Sequence, residues 1–300
     1  MQWQENNKSM QTLKNGLLNI SSTEHGAELT SIVKDGREYL WQADPAFWKR
    51  HSPVLFPIVG SVWNGRFRID GKEYAMGQHG FARDRDFSLI EQSENKLKYR
   101  LESDSKSLEI YPYPFKLDIS YHLRDNQIDV IWEVENIGSS TLYFQIGAHP
   151  AFNYFDFDPR QNRRGYFSFD RSEGLECIRI VDKGCADPSS RYPLKTDSAG
   201  LLPIYADSFD ETDAFILQDS QVKKVTLHDP NGVAKLSLDF DAPLVGLWSP
   251  PHKNAPFVCI EPWFGRCDRA GYEGEFKNRD WVNELAPSQR FKASYTITIF

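Results

Sequence analysis

Short runs in which apolar and polar residues alternate recur along the whole sequence, and this pattern restricts the fold more than any other feature. Runs that alternate in this way, or that are rich in β-forming residues, occupy residues 16–22, 66–70, 96–101, 115–123, 127–134, 234–240 and 290–300. A period of two is typical of strands with one buried face, and convincing amphipathic helices of three or more turns are nearly absent. The sequence therefore predicts an all-β protein, with helix limited to short pieces such as residues 45–49 and 279–285.

Turn-forming dipeptides separate several of these runs. Asp35-Gly36, Asp70-Gly71 and Asn231-Gly232 supply the positive φ that tight turns need, which indicates antiparallel hairpins. Strand signals are spread evenly, without a linker or a break in composition. We therefore expect one large antiparallel β-sandwich domain over residues 1–300. Residues 156–165 and 182–200 are rich in turn-forming and polar residues and are expected to be long surface loops.

Length and charge allow an enzyme and exclude some partners. A chain of 300 residues buries roughly 75% of its unfolded surface, enough to support a deep pocket. The net charge of -7 argues against nucleic acid or an anionic membrane as a partner. The segment Met1-Gln2-Trp3-Gln4-Glu5-Asn6 lacks the basic start of a signal peptide, and no stretch approaches the ~18 apolar residues of a membrane span. We expect a cytoplasmic protein, either a monomer or a homodimer.

The cysteines predict neither disulfides nor a metal centre. Their spacing forms no C-x-x-C pair and no zinc-like grouping with histidine; the four are Cys177, Cys185, Cys259 and Cys267. Reduced packing thiols are expected in a cytosolic chain of this length. No metal and no cofactor is predicted.

Three fragments combine a titratable side chain with turn-formers and aromatics. His79 lies in QHGFAR (residues 78–83), His149 in GAHPAFN (147–153), and Glu261 in CIEPWFG (259–265). A carboxylate that accepts a proton, an imidazole that donates one and aromatic walls that exclude water are what proton transfer on a sugar requires. The combination favours a catalytic site.

Each residue in these fragments also has a purely structural interpretation. Glu261 follows an apolar strand whose burial would raise the pKa of its carboxyl, but it could instead pair with Arg266. Pro150 pushes His149 toward an extended conformation, with Phe152 as a stacking face and Asn153 as an amide beside it. Further residues remain open between two roles: His79 between binding and a tight turn, Arg83 between ligand binding and a solvated charge run, and Trp263 between sugar stacking and the core.

Taken in order along the chain, these fragments resemble the aldose 1-epimerase (galactose mutarotase) family. The resemblance covers most of the sequence, from FPIVG (56–60) and NGRF (64–67) through HGF (79–81) and HPAFN (149–153) to EPW (261–263). It implies the family fold, a galactose mutarotase-like supersandwich. It also implies that a hexose is interconverted between its α and β anomers without cofactor or metal.

The same resemblance assigns roles to individual residues. His149 would be the general acid that protonates the ring oxygen, and Glu261 the general base that takes the anomeric hydroxyl proton. His79 would bind and polarise the substrate oxygen. Asp213 would be the substrate-binding aspartate, although Asp207 and Asp210 remain alternatives.

Two points leave the substrate open. The arginine that typical members carry shortly before the Asn-Gly turn is replaced by Ser61, for which Arg83 could substitute. The HGFAR sequence also resembles the hexose-6-phosphate 1-epimerase branch, in which arginines hold the phosphate. The partner is therefore expected to be a small sugar, hexose or hexose phosphate. A non-catalytic carbohydrate-binding protein on the same fold is the alternative from another class.

Overall fold

The structure is a computed structural model that describes residues 10–300. The segment Met1–Asn6, on which the expectation of a missing signal peptide rests, lies outside the described residues. Within them, no helix is both long and apolar enough to cross a membrane.

Strands dominate the described part of the chain. In order they are β1 Met10–Lys14, β2 Asn19–Thr23, β3 Leu29–Lys34, β4 Arg37–Glu38, β5 Val54–Leu55, β6 Arg66–Ile69, β7 Lys72–Ala75, β8 Ser88–Gln92, β9 Lys96–Glu102, β10 Phe115–Arg124, β11 Gln127–Asn136, β12 Leu142–Phe144 and β13 Ile146–Ala148. They continue with β14 Ala151–Asn153, β15 Arg163–Phe169, β16 Glu176–Asp182, β17 Cys185–Pro193, β18 Leu202–Tyr205, β19 Ala214–Leu217, β20 Lys224–His228, β21 Ala234–Phe240, β22 Leu244–Trp248, β23 Phe257–Phe264, β24 Asn283–Leu285 and β25 Arg290–Ile299. The α-helix α1 spans Ser105–Ile110, and 3-10 turns occupy Trp63–Gly65, Ala82–Asp84 and Phe276–Asn278.

The strand and hairpin predictions are confirmed, and both helix predictions are wrong. Asp35-Gly36, Asp70-Gly71 and Asn231-Gly232 each connect two antiparallel strands. Residues 45–47 form a turn, and residues 279–285 form a turn followed by β24. The helix α1, which was not predicted, begins with a capping box between Asp104 and Ser107. The predicted loop at 182–200 contains the strand β17.

Two large antiparallel sheets form the sandwich. The nine-stranded sheet runs β18-β15-β20-β21-β25-β11-β10-β9-β8. The eight-stranded sheet runs β17-β16-β19-β22-β23-β13-β5, with β14 also paired to β23. This confirms the predicted all-β fold with only short helices.

The main core lies between the facing sides of these sheets. Alternate residues of β11 are buried, and among them Trp132 meets Phe264 of β23 with ring centroids 6.5 Å apart. Val258 and Ile260 of β23 are fully buried in the same cluster. Each such aliphatic side chain contributes roughly 1.5–3 kcal/mol when buried, so the core holds β23 firmly. The alternate residues of β23, such as Cys259 and Glu261, point to the opposite face of the eight-stranded sheet.

A buried polar network fixes the loops at that opposite face. Arg279 donates from Nε to Asp268 at 2.6 Å and from Nη1 to Gln145 at 3.1 Å. The same Gln145 oxygen accepts the Val59 N–H, and Asp268 accepts the Trp63 N–H. Both charged side chains of the Asp268–Arg279 pair are almost completely buried. Through Gln145, Val59 and Trp63, the network around this pair connects segments that are distant in sequence.

We expect Asp268→Asn to destabilise the protein by about 3–5 kcal/mol, because it leaves the buried Arg279 charge without its counter-ion. Urea unfolding of the variant and the parent protein measures this difference. Asp241→Asn is the matched control, since it breaks the exposed Asp241–Lys223 pair and should cost no more than about 1 kcal/mol. Equal losses in the two variants would contradict a structural role for the buried pair.

Candidate active site

The pairing of β23 with its neighbours brings His149 to Glu261. Gly147 of β13 pairs with Trp263, and Ala151 of β14 pairs with Cys259. Continuing this register through the link between β13 and β14 places His149 opposite Glu261. The side chains meet there, with Nε2 of His149 3.3 Å from Oε2 of Glu261.

Strand alternation explains why a carboxylate lies on this face. Val258 and Ile260 enter the main core, so Cys259, Glu261 and Trp263 point to the other side of the sheet. Glu261 is only 2% exposed, because it lies between Gly246 of β22 on one side and His149 on the other. The sheet thus carries a buried acid.

Two glycines make room for the Trp263 indole. A Cβ on Gly246, in β22, would lie 2.4 Å from the Trp263 ring, and one on Gly147 would lie 2.6 Å from it. Such separations are far shorter than ordinary van der Waals contact, so only glycine fits at either position. The indole can therefore form part of the floor of a cavity.

The cavity above this floor has a volume of about 280 Å³. It brings together six of the residues predicted for the site: His79, Arg83, His149, Asp213, Glu261 and Trp263. Its other walls include Trp48, Trp248, Gln78 and the apolar side chains of Val59, Ile180 and Ile216. Asp213 lines the cavity, whereas Asp207 and Asp210 are not among the described residues that do.

Phe152 and Asn153 do not join this group, contrary to the expectation that they bind substrate. Phe152 pairs with Val258 and is fully buried in the main core. The Asn153 amide donates to the carbonyls of Glu38 and Leu40, at 3.2 and 2.9 Å. These two side chains therefore stabilise β14 and its neighbours instead of facing the cavity.

Aromatic rings enclose the His149 imidazole. Trp48 stacks on it with centroids 4.7 Å apart, and Trp248 approaches it edge-on at 5.3 Å. Burial lowers the pKa of His149 to about 3, and the positive charge of Arg83 acts in the same direction. The His149 imidazole is therefore neutral in this environment.

Burial has the opposite effect on the carboxyl beside it. It raises the pKa of Glu261 well above its ordinary value, the Trp263 indole N–H opposes the shift, and the Asp213 charge adds to it. Desolvation penalises the charged form of both groups. Burial therefore favours the pair as a carboxylic acid next to a neutral imidazole over the pair of opposite charges.

The backbone fixes the orientation and tautomer of His79. Its ring Nδ1 accepts the Gly60 N–H at 3.0 Å, and the backbone N–H of His79 donates to the Gly60 carbonyl at 2.8 Å. Burial lowers the pKa of His79 well below its ordinary value, so the proton of the neutral ring is on Nε2. Gly80 is required next to it, because a Cβ would lie 2.2 Å from the Phe56 carbonyl oxygen. His79 thus offers a neutral N–H donor.

Arg83 is a buried cation with spare hydrogen-bonding capacity. One of its terminal nitrogens donates to the Gln78 carbonyl at 2.7 Å, its Nε has no partner, and Asp84 lies 3.9 Å away. Burial, assisted by the charge of Arg50, lowers the pKa of Arg83 to about 10.

Ser61 lines an adjoining groove with Asn64 and Lys183 instead of this cavity.

Sequence reasoning missed several cavity-lining or neighbouring side chains. Trp48 falls in the segment expected to be helical, and Trp248 ends β22 with its indole N–H directed to Asp213 at 3.4 Å. Cys259 was expected to be an unremarkable thiol, but it lies beside His149 and Glu261. The position of Cys259 two residues before Glu261 in a strand was a usable signal; no comparable local signal marks Trp48.

Comparison with known proteins shows the family of the chain. The family model described as aldose 1-epimerase matches residues 9–296. The chain belongs to the aldose 1-epimerase family. It is similar to the chromosomal protein LacX of Lactococcus lactis subsp. lactis, with 34% identity over 96% of this chain and 98% of the relative.

Solved structures of related proteins share the fold. A galactose mutarotase related enzyme from Lactobacillus acidophilus has a TM-score of 0.88 and 32% identity, covering 97% of both chains. A galactose mutarotase-like protein from Lactobacillus casei has a TM-score of 0.90 and 30% identity, covering 97% of this chain and 100% of the other. The supersandwich expected from the sequence is thus confirmed.

We expect the His149 ring to remain neutral at about pH 5, where a solvated imidazole is mostly protonated, because its pKa is lowered to about 3. An NMR titration of the ring C–H resonances measures this, and His149→Asn identifies the signal by its loss. A ring that is protonated at that pH would mean that the pair rests as carboxylate and imidazolium instead.

Proposed function

We propose that the protein is an aldose 1-epimerase, or mutarotase, which interconverts the α and β anomers of a hexose. The observation that carries this proposal is the contact between Glu261 and His149, 3.3 Å apart and buried at the base of a cavity. Two groups that share one proton within reach of one ligand suit a reaction that takes a proton from one oxygen and gives one to another. Membership of the aldose 1-epimerase family supports the same activity.

Ring opening uses the pair in its charged tautomer. The Glu261 carboxylate takes the proton of the anomeric hydroxyl, the bond from C1 to the ring oxygen breaks as the C1 carbonyl forms, and His149 protonates the ring oxygen. The pair is then carboxylic acid and neutral imidazole, the form that burial favours. Rotation about the C1–C2 bond and reversal of both transfers close the other anomer.

The remaining cavity residues bind and position the sugar. His79 donates from Nε2 to the ring or anomeric oxygen without competing for the transferred proton, because its pKa is lowered well below its ordinary value. Trp263 and the two other indoles supply apolar faces for the sugar ring. Asp213 and Arg83 serve as an acceptor and a donor for its hydroxyls.

A hexose 6-phosphate is the second candidate substrate, and the arginines favour it. Arg83 has an unsatisfied Nε, and the mostly buried Arg50 nearby shares the single carboxylate of Asp84 with it. A phosphate oxygen would accept a hydrogen bond from this Nε. A non-catalytic sugar-binding protein, by contrast, has no need for the Glu261–His149 pair.

Polarimetry tests these alternatives directly. Freshly dissolved α-glucose, α-galactose and the corresponding 6-phosphates are followed with purified protein and without it. Acceleration of the free hexoses supports the proposed activity, and acceleration confined to the phosphates selects the phosphorylated substrate. Sugar binding without any acceleration would leave a binding protein.

We expect Glu261→Gln to lower kcat by roughly 10²- to 10⁴-fold, the usual contribution of a positioned acid or base. Glutamine keeps the size and hydrogen-bonding reach of the side chain but cannot accept the anomeric proton. Exchange NMR at equilibrium measures the rate, and a hexose titration checks that binding survives.

Glu211→Gln is the matched control, because it makes the same chemical change on an exposed residue close to Asp213. It should turn over at the parental rate. A folded Glu261→Gln protein that also does so would show that another group is the base.

We expect Arg83→Ala to lower kcat/KM by a factor that corresponds to roughly 1–3 kcal/mol of lost transition-state stabilisation. This is the range for hydrogen bonds from a charged donor. Arg85→Ala is the control, because Arg85 belongs to the same charge run but packs on Phe81. Steady-state kinetics with a hexose and its 6-phosphate separate the two roles: a larger loss with the phosphate identifies Arg83 as a phosphate ligand. If both variants retain parental kinetics, Arg83 is not a binding residue.

A further inference from the structure

One thiol lies unexpectedly close to the proposed acid/base pair. A ring nitrogen of His149, the Sγ of Cys259 and a carboxylate oxygen of Glu261 all lie within 4.8 Å of one another. All three residues are buried, and Cys259 is completely so. The alternation of β23 produces this arrangement, because Cys259 and Glu261 point to the same face while His149 reaches them from the neighbouring link.

These three donors match the requirements of a zinc ion. Bonds of about 2.0–2.3 Å in a tetrahedral site place ligand atoms roughly 3.3–3.8 Å apart. His149 and Glu261 already lie at 3.3 Å, and a pair at the upper limit of 4.8 Å must close by only about 1 Å. A thiolate in the donor set favours zinc over magnesium or calcium.

The atoms are also available, and the charges balance. Oε2 of Glu261 has no hydrogen-bond partner among the described residues, although it is buried. A divalent ion bound to one thiolate, one carboxylate and one neutral imidazole is electrically neutral overall, which a desolvated site tolerates. The thiol and carboxyl protons leave to solvent. Both Arg83 and Asp213 line the cavity; the charge of Arg83 opposes binding of the ion, and the charge of Asp213 favours it. Because the cavity lies next to the three ligands, water can occupy the fourth coordination position.

We propose that His149, Cys259 and Glu261 form a three-ligand site for Zn²⁺ whose occupancy blocks the proton-transfer pair. The ion engages both groups that would exchange protons with the sugar and fills the base of the cavity. Metal binding is independent of the proposed function, whereas inhibition of mutarotation rests on it.

Cobalt(II) provides a readout of binding that does not need activity. Titration of the reduced protein with Co²⁺ should produce a near-ultraviolet sulfur-to-cobalt charge-transfer band and the visible bands of four-coordinate cobalt, both displaced by Zn²⁺. Cys259→Ala should abolish the charge-transfer band. Cys267→Ala is the matched control, since that thiol is also buried and lines the cavity, and the band should persist. A parent protein without the band, or a band that survives in Cys259→Ala, would overturn the site.

Inhibition is the second measurement. Zn²⁺ should slow mutarotation by the parent protein in competition with the hexose, and EDTA should restore the full rate. Cys259→Ala should require at least about tenfold more Zn²⁺, since loss of a direct ligand weakens binding no less than loss of an outer partner does. If Cys259→Ala fails to fold, Cys259→Ser replaces it, because serine keeps the size of the side chain but its hydroxyl is a much poorer zinc ligand. Zinc that binds without slowing mutarotation would place the ion elsewhere, and a parent protein that shows the cobalt bands but no mutarotation would refute only the proposed function.

Discussion

The burial of Glu261 and His149 against each other, 3.3 Å apart and sharing one proton in the proposed reaction, is the constraint on which the site depends. Desolvation raises the pKa of the carboxyl and lowers that of the imidazole, so neither group readily carries a lone charge. A pair that holds one proton can transfer it in either direction. In the proposed reaction, the state favoured by burial is also the state that ring opening would leave behind, which would lower the cost of the open-chain intermediate relative to the closed sugar.

The fold maintains this pair through strand register. β23 is fixed from below by the main core and from both sides by paired strands, so Glu261 has little freedom to move. Gly147 and Gly246 then leave the space that Trp263 occupies next to it. Because the site is built mainly on a packed sheet, even a small displacement of its residues would require repacking of the core.

Much of the fold and half of the site chemistry could be predicted from local patterns. Alternation and turn dipeptides indicated the strands, and the short motifs indicated His149 and Glu261. The side-chain directions in β14 depend on its register with β23, which a single sequence does not show. Phe152 enters the main core, whereas Asn153 lies on the face of Cys259 but donates its amide to the Glu38 and Leu40 carbonyls. The position of Trp48 depends on contacts between distant segments, which a single sequence does not display. The spacing of Cys259 and Glu261 in one strand, by contrast, indicates that they share a face.

The most direct test of the shared-proton account is a double-variant cycle on Glu261→Gln and His149→Asn, with mutarotation rates measured by exchange NMR. If the two groups transfer protons as one unit, the double variant should be little slower than the slower single variant, because either loss already disables the pair. Rates that fall by the product of the two single losses would contradict the account, since they would mean that Glu261 and His149 act independently.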